Sequence, residues 1–195
     1  WSSGNNTFTP DLCQSVTEQN NTKAFLKSRA AVGKFAAGNA FTGSFALSGM
    51  NGVVTLGKPF TARPSMFKGK YNYIPQTVDK YSGHIAKGSF DQCAIYMLLK
   101  EPMALNTANQ ETLNWKEYYA DRIIAYAELP ASENMLTNGW SDFNLKLQYL
   151  KKDVKPEYIG VLATSSKYGD YFQGAVGSEL YIDDFELVYD QTPTE

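Results

Sequence analysis

The fold is decided by the stretch Leu180-Tyr181-Ile182-Asp183-Asp184-Phe185-Glu186-Leu187-Val188-Tyr189. It mixes aromatic and β-branched residues with no glycine or proline, which is the composition of a β-strand. Alternation along that strand places Tyr181, Asp183, Phe185 and Leu187 on one face and Ile182, Asp184, Glu186 and Val188 on the other. The adjacent acids Asp183 and Asp184 interrupt an otherwise apolar strand, and two readings stand. They could ligate a hard cation such as calcium through oxygen, or accept hydrogen bonds from a neighbouring loop.

Working outward, the same kind of short apolar or alternating run recurs at residues 23–29, 39–46, 66–74, 88–99, 122–128, 140–149, 158–165 and 179–189. Gly and Pro fall between the runs, as in Gly49-Met50-Asn51-Gly52, Gly57-Lys58-Pro59, Pro75, Gly83, Pro130, Gly139 and Pro156. Glycine supplies positive φ and proline a fixed φ, so these residues mark turns. Helical spacing is found at 111–120, where Leu113, Lys116, Glu117 and Ala120 predict one short helix inside a loop. The pattern is that of an all-β sandwich of two antiparallel sheets, with at most one or two short helices in loops.

Residues 1–22 are polar, with two Asn-Asn-Thr runs at 5–7 and 20–22, and read as an irregular arm and loop. Residues 100–121 and 165–178 read as long loops. Long ordered loops on a rigid β scaffold usually carry function. No repeat, low-complexity tract or linker divides the chain, so residues 1–195 read as a single domain. The abrupt start on Trp1 points to an excised domain or processed product, the C-terminal part of a longer secreted precursor.

A hydrophobic content of 43% supports a real core, and 19% charged residues are too few for a disordered chain. With a net charge of −2 and no basic cluster, nucleic acid is excluded as a partner. Thirteen Tyr, eleven Phe and three Trp suit sheets and sugar rings alike, because Tyr and Trp join an apolar face to a polar edge. Cys13 and Cys93 permit one disulfide that their spacing does not demand. Cys93 opens the apolar run Cys93-Ala94-Ile95-Tyr96-Met97-Leu98-Leu99, where a free thiol acts as a small buried hydrophobe.

A single histidine, His84, lies in the turn-like Tyr81-Ser82-Gly83-His84 and reads as a surface residue. That leaves no elbow motif for a Ser-His-Asp triad and no His-rich zinc site. Carboxylates are the remaining catalytic groups. Glycoside hydrolysis needs two of them, roughly 5–10 Å apart depending on mechanism. Asp91, Glu128 and Asp170 form the acid/base and nucleophile pool, although no local spacing singles out a pair. The segment Ser165-Ser166-Lys167-Tyr168-Gly169-Asp170-Tyr171-Phe172-Gln173-Gly174-Ala175-Val176-Gly177-Ser178 is richest in sugar-recognition chemistry, combining hydroxyls, a cation, a carboxylate and rings between glycines.

That segment and the strand after it resemble the C-terminal signature of the putative carbohydrate metabolism domain (PCMD) family. Similar upstream pieces, in the same order, are Trp1-Ser2-Ser3-Gly4-Asn5, Ala37-Gly38-Asn39-Ala40-Phe41-Thr42-Gly43, Gly57-Lys58-Pro59-Phe60-Thr61-Ala62-Arg63-Pro64 and Lys68-Gly69-Lys70-Tyr71-Asn72-Tyr73. The resemblance implies a β-jelly-roll, a sugar pocket on its concave side, and a protein of the cell surface or exterior in glycan-foraging gut bacteria. A preceding immunoglobulin-like domain and a lipoprotein signal accompany many members. The family's opening strand before the Trp-x-x-Gly-Asn motif has no counterpart here, which weighs against a bound calcium. No cofactor is expected, a structural calcium at Asp183 and Asp184 being the one candidate.

The leading expectation is therefore a module that binds an oligo- or polysaccharide. Trp1 is its stacking platform, Asn5, Arg63, Asp91 and Asp170 its hydroxyl ligands, and Tyr73, Tyr168 and Tyr171 its pocket lining. The Arg63-Pro64 pair would hold a guanidinium at a strand entrance, or else form an ordinary ion pair. The alternatives are a glycoside hydrolase and an adhesive surface subunit.

Overall fold

The computed structural model describes residues 1–31, 33–48, 51–101 and 115–190. Its strands, numbered β1 to β16 in chain order, form two large antiparallel sheets. Sheet A has the order β1 (Ser2–Ser3), β6 (Asn39–Phe41), β15 (Tyr158–Thr164), β11 (Ala94–Lys100), β12 (Ile123–Glu128) and β14 (Gln148–Tyr149), and β9 (Lys58–Pro59) also pairs with β15. Sheet B has the order β13 (Ser141–Lys146), β10 (Met66–Ile74), β16 (Glu179–Val188), β3 (Asn21–Lys27) and β2 (Cys13–Glu18). Two hairpins complete the set, β4 (Arg29–Ala31) with β5 (Lys34–Ala36), and β7 (Gly43–Ser48) with β8 (Asn51–Leu56).

Eight of these strands, taken in chain order, are β3, β6, β10, β11, β12, β13, β15 and β16. Four lie as β3-β16-β10-β13 in one sheet and four as β6-β15-β11-β12 in the other. That interleaving is the jelly roll, as expected.

The main core lies between the sheets. Phe67, Tyr71 and Tyr73 of β10 and Leu180 and Ile182 of β16 meet Ile95, Met97 and Leu99 of β11 and Val161 and Ala163 of β15. Gly69 faces inward among these rings. A Cβ there would come within 2.5 Å of Phe185 and 2.8 Å of Phe143, so the glycine makes room for both phenyl groups. A second cluster covers the outer face of sheet A, where Phe41, Tyr96, Leu98 and Leu162 pack against Val54 and Leu56 of the β7-β8 hairpin and against Trp115. With cover on both faces, β11 is buried along its whole length. Its sequence is accordingly a continuous apolar run.

Several boundaries differ from the expected ones, each for a physical reason. The polar arm contains the edge strand β2, which turns into β3 through Gln19 and Asn20, both at positive φ. An edge strand with one solvated face carries little apolar signal. The run 39–46 divides at Gly43, where the chain leaves sheet A to start the hairpin. A Cβ at Gly43 would lie 2.1 Å from the Thr55 carbonyl oxygen. The run 88–99 pairs in sheet A only from Ala94, and 140–149 splits into β13 and β14 as the chain crosses from sheet B to sheet A. Of the expected helix, α1 (Trp115–Tyr118) and the 3-10 turn Ala120–Arg122 are seen, and the rest lies outside the described residues.

The clearest departure is in the deciding strand itself. Lys68 pairs with Glu186 but Lys70 with Asp183, so β16 holds one extra residue, Asp184, at φ 52°. This β-bulge shifts the alternation by one. Phe185 and Leu187 therefore join Leu180 and Ile182 against the core, while Tyr181, Asp183 and Glu186 face outward.

Candidate functional site

Loops 75–93 and 165–178 lie at one end of the sandwich, where β10 and β15 end and β11 and β16 begin. Hydrogen bonds join the two loops. Gln173 accepts from the backbone N–H groups of Ser82 and His84 and donates to the Ser82 carbonyl, at 2.9, 3.1 and 3.0 Å. Lys80 and Gly174 exchange backbone bonds, and Asp79 accepts from the Val176 N–H. His84 is exposed and stacks on Tyr171 at 3.7 Å between ring centroids.

Asp91 fixes the 165–178 loop from inside. It is fully buried, and its Oδ2 accepts from Ser166 Oγ at 2.5 Å, from the Ala175 N–H at 2.9 Å and from Ser178 Oγ at 2.9 Å. Oδ1 accepts from the Gln92 N–H at 2.8 Å. Burial raises the Asp91 pKa above the usual carboxylate range, and these four donors oppose the shift. Ser28, Ser165, Ser166 and the Tyr73 hydroxyl, which donates to the Ser165 carbonyl, continue the network. Asp91 and Tyr73, expected as sugar contacts, are thus interior supports of the loop with no exposed polar atom to offer.

The other expected contacts divide by position. Asn5 forms a two-bond clamp on the Cys13 backbone, accepting at 2.8 Å and donating at 2.7 Å. Arg63 sits at the opposite end of the sandwich, donating to the Val154 and Lys151 carbonyls and stacking over Tyr149 at 4.3 Å. Trp1 is 65% exposed, against Phe185 at 6.0 Å. Since β15 alone separates Arg63 from the Asp170 loop by its seven residues, roughly 20 Å of strand, convergence of Trp1, Arg63, Asp91 and Asp170 on one pocket is corrected by the structure.

What does converge is a different set, on the outer face of sheet A beside the 165–178 loop. Tyr96 and Glu128 are register partners on β11 and β12. The charges of both Asp170 and Glu128 act on the buried Tyr96 hydroxyl, and with burial as the largest cause they hold its pKa well above the ordinary phenol value. That hydroxyl stays protonated, under the charge of two carboxylates. Trp115 lies against Tyr96 at 6.2 Å and Tyr126 at 5.2 Å. Lys116 pairs with Glu128 at 2.6 Å and lies 4.8 Å over the Tyr126 ring. Tyr168 and Tyr171 frame the 3-10 turn Gly169–Tyr171 that carries Asp170. Sequence reading found Glu128, Asp170, Tyr168 and Tyr171 but missed Tyr96, Trp115, Lys116 and Tyr126. Only the outward alternation of Tyr96 within its apolar run could have flagged it.

The donor set at Asp183 and Asp184 does not fit calcium. Asp183 accepts from Asn21 at 2.7 Å and from the Asp184 N–H, and Asp184 pairs with Lys70 at 2.9 Å. Among the described residues no three His, Cys, Asp or Glu side chains gather as metal ligands. Cys13 and Cys93 are free thiols, Cys93 fully buried.

This jelly roll and its loop signature match the family described as "Putative carbohydrate metabolism domain" over residues 1–188. The chain belongs to that family. No curated protein sequence matches this PCMD chain. Among solved structures it is similar to one from Bacteroides thetaiotaomicron described as a "putative glycoside hydrolase", with a TM-score of 0.76 and 23% identity. That alignment covers 97% of this chain and 63% of the other, so the chain spans about three fifths of that protein, and the likeness is one of fold. A second structure with the same description, from Bacteroides vulgatus, gives a TM-score of 0.73 at 25% identity, covering 92% of this chain and 78% of the other. A role connected with carbohydrate follows from the family.

Proposed function

We propose that this PCMD domain binds an oligo- or polysaccharide at the rim of the covered outer face of sheet A, where Glu128 of β12 and the Asp170 turn lie, outside the cell or at its surface. What supports the reading is a part-exposed polar and aromatic cluster, Lys116 paired with Glu128 at 2.6 Å and lying 4.8 Å over the Tyr126 ring, with the charges of Glu128 and Asp170 both acting on the Tyr96 hydroxyl beneath. Carboxylates and an ammonium suit vicinal sugar hydroxyls, and the half-buried Tyr126 ring suits the C–H side of a pyranose. The loops joined by Gln173 and anchored by Asp91 form a rigid wall, which lowers the entropic cost of binding.

A glycan array tests this. The domain should retain at least one neutral or acidic glycan, and Asp170→Asn and Lys116→Ala should each weaken that binding about tenfold with folding intact. Silence across the array, or binding that both variants leave unchanged, overturns the reading.

The paired carboxylates also favour a second reading, hydrolysis of the bound glycan. Glu128 and Asp170 would then be the acid/base and nucleophile pair, supported by the charge of each acting on the same Tyr96 hydroxyl. Reducing ends should accumulate from a bound glycan, and Glu128→Gln and Asp170→Asn should each remove at least 99% of turnover. Retention without any cleavage leaves the domain a binder and removes the enzyme.

A further inference from the structure

The solvent-facing side of sheet B carries a constellation that the site on sheet A does not use. Phe25 of β3 and Tyr181 of β16 are register partners and stack at 4.7 Å with 27° between planes. Trp140, 42% exposed, meets the Tyr181 ring edge-on at 6.5 Å. Lys23 lies 5.4 Å from the Trp140 ring and 5.6 Å from the Tyr181 ring. Together they form an aromatic ledge that runs across the strands.

Two residues further along each strand, on the same face, the ledge gives way to an open depression of about 600 Å³. Lys68 and Lys70 rise from its floor, with Asp142 on one side and Asp184 and Glu186 on the other. The bulge at Asp184 helps to create it. The extra residue turns Phe185 toward the core and leaves both Asp184 and Glu186 outward, paired with Lys70 at 2.9 Å and Lys68 at 3.0 Å.

We infer that this face is a second glycan-binding surface, taking an uncharged polysaccharide laid across the strands from the ledge into the depression. The exposed Trp140 and the part-exposed Tyr181 and Phe25 beside a polar hollow match the two sides of a pyranose, apolar C–H on one and hydroxyls on the other. Charge selects among glycans. Lys23, Lys27, Lys68, Lys70 and Lys146 share the face with Glu18, Asp142, Glu179, Asp183, Asp184 and Glu186, and Lys23, Lys27, Lys68 and Lys70 are already ion-paired. The two signs nearly balance and most lysines are already paired, so the face offers an anionic chain no free cluster of cations while neutral hydroxyls find donors and acceptors of both signs. The inference rests on the carbohydrate reading of the family but not on the site at Glu128 and Asp170.

The test is affinity electrophoresis and tryptophan fluorescence with starch, β-glucan, xylan and mannan as neutral probes and polygalacturonate as the anionic one. Trp140→Ala with Tyr181→Ala should weaken retention by a neutral polymer at least tenfold, and Trp140→Phe should restore part of it. The double variant Glu128→Gln, Asp170→Asn should leave that retention in place. Retention that depends on Glu128 and Asp170 but not on Trp140 and Tyr181 overturns this inference and spares the proposed function. Polygalacturonate held more tightly than every neutral polymer also overturns it, and so does no retention of any neutral polymer, while the glycan array decides the proposed function separately. Circular dichroism and thermal midpoints that depart from wild type identify variants that merely misfold, and the Trp140→Phe comparison then decides.

Discussion

Asp91 shows why one side chain can be read correctly as important and wrongly as exposed. In sequence it is an acid between an apolar run and a turn, the setting of many binding carboxylates. In the fold it takes four hydrogen bonds in a closed interior and holds the 165–178 loop in place. An unsatisfied buried donor costs about 1–3 kcal/mol. Asp91→Ala orphans several donors at once, so urea denaturation should show a loss of about 3 kcal/mol or more. A loss below about 1 kcal/mol would mean that water replaces the carboxylate and that the loop does not depend on it. Residue type alone cannot separate such an interior acid from Asp170, whose charge reaches Tyr96 at the candidate site. The difference lies in which donors the fold brings near, and those come from positions up to 87 residues away.

At the scale of the element, β16 was legible as a strand and half legible in its facing. Alternation holds from Leu180 to Asp183 and then slips by one at Asp184. Neither glycine nor a turn pair marks the slip, because Asp tolerates the left-handed region that usually calls for glycine. The Gln19-Asn20 turn escapes notice for the same reason. The bulge makes a sharp prediction. Asp184→Val places a β-branched residue at φ 52° and should cost about 1–2 kcal/mol. Asp184→Gly relieves the backbone and loses only a solvent-screened pair with Lys70, so its denaturant midpoint should stay close to that of wild type. Equal costs for the two, measured by denaturant midpoint, would show that the lysine pair rather than the backbone governs this position.

For the whole molecule, the sandwich was legible because strand runs and turn residues alternate along the chain, and the ordered motifs extended that to a jelly roll. The gathering of Tyr96, Trp115, Glu128 and Asp170 was not, since it depends on sheet register and on a loop returning over a strand that looked wholly interior. Burial on both faces of sheet A also sets how global stability responds to alkali. Burial pushes the Cys93 thiol far above its ordinary value near 9 and Tyr71 up to about 12, so the fold keeps protons that the unfolded chain releases. Each such group makes stability fall as pH rises past its unfolded pKa. Lys100 acts in the opposite sense. Its buried ammonium is lowered to about 8, so between there and its ordinary value near 10.5 the fold has given up a proton that the unfolded chain still holds. Stability gains as pH rises through that window. Each full proton of difference changes stability by about 1.4 kcal/mol per pH unit, so from pH 9 to 10 the thiol and the amine nearly cancel. Unfolding free energies from urea titrations at pH 8, 9 and 10 should therefore diverge relative to wild type, Cys93→Ala sloping upward and Lys100→Met downward. Curves that stay parallel across the three proteins would place both groups in contact with water in the folded state.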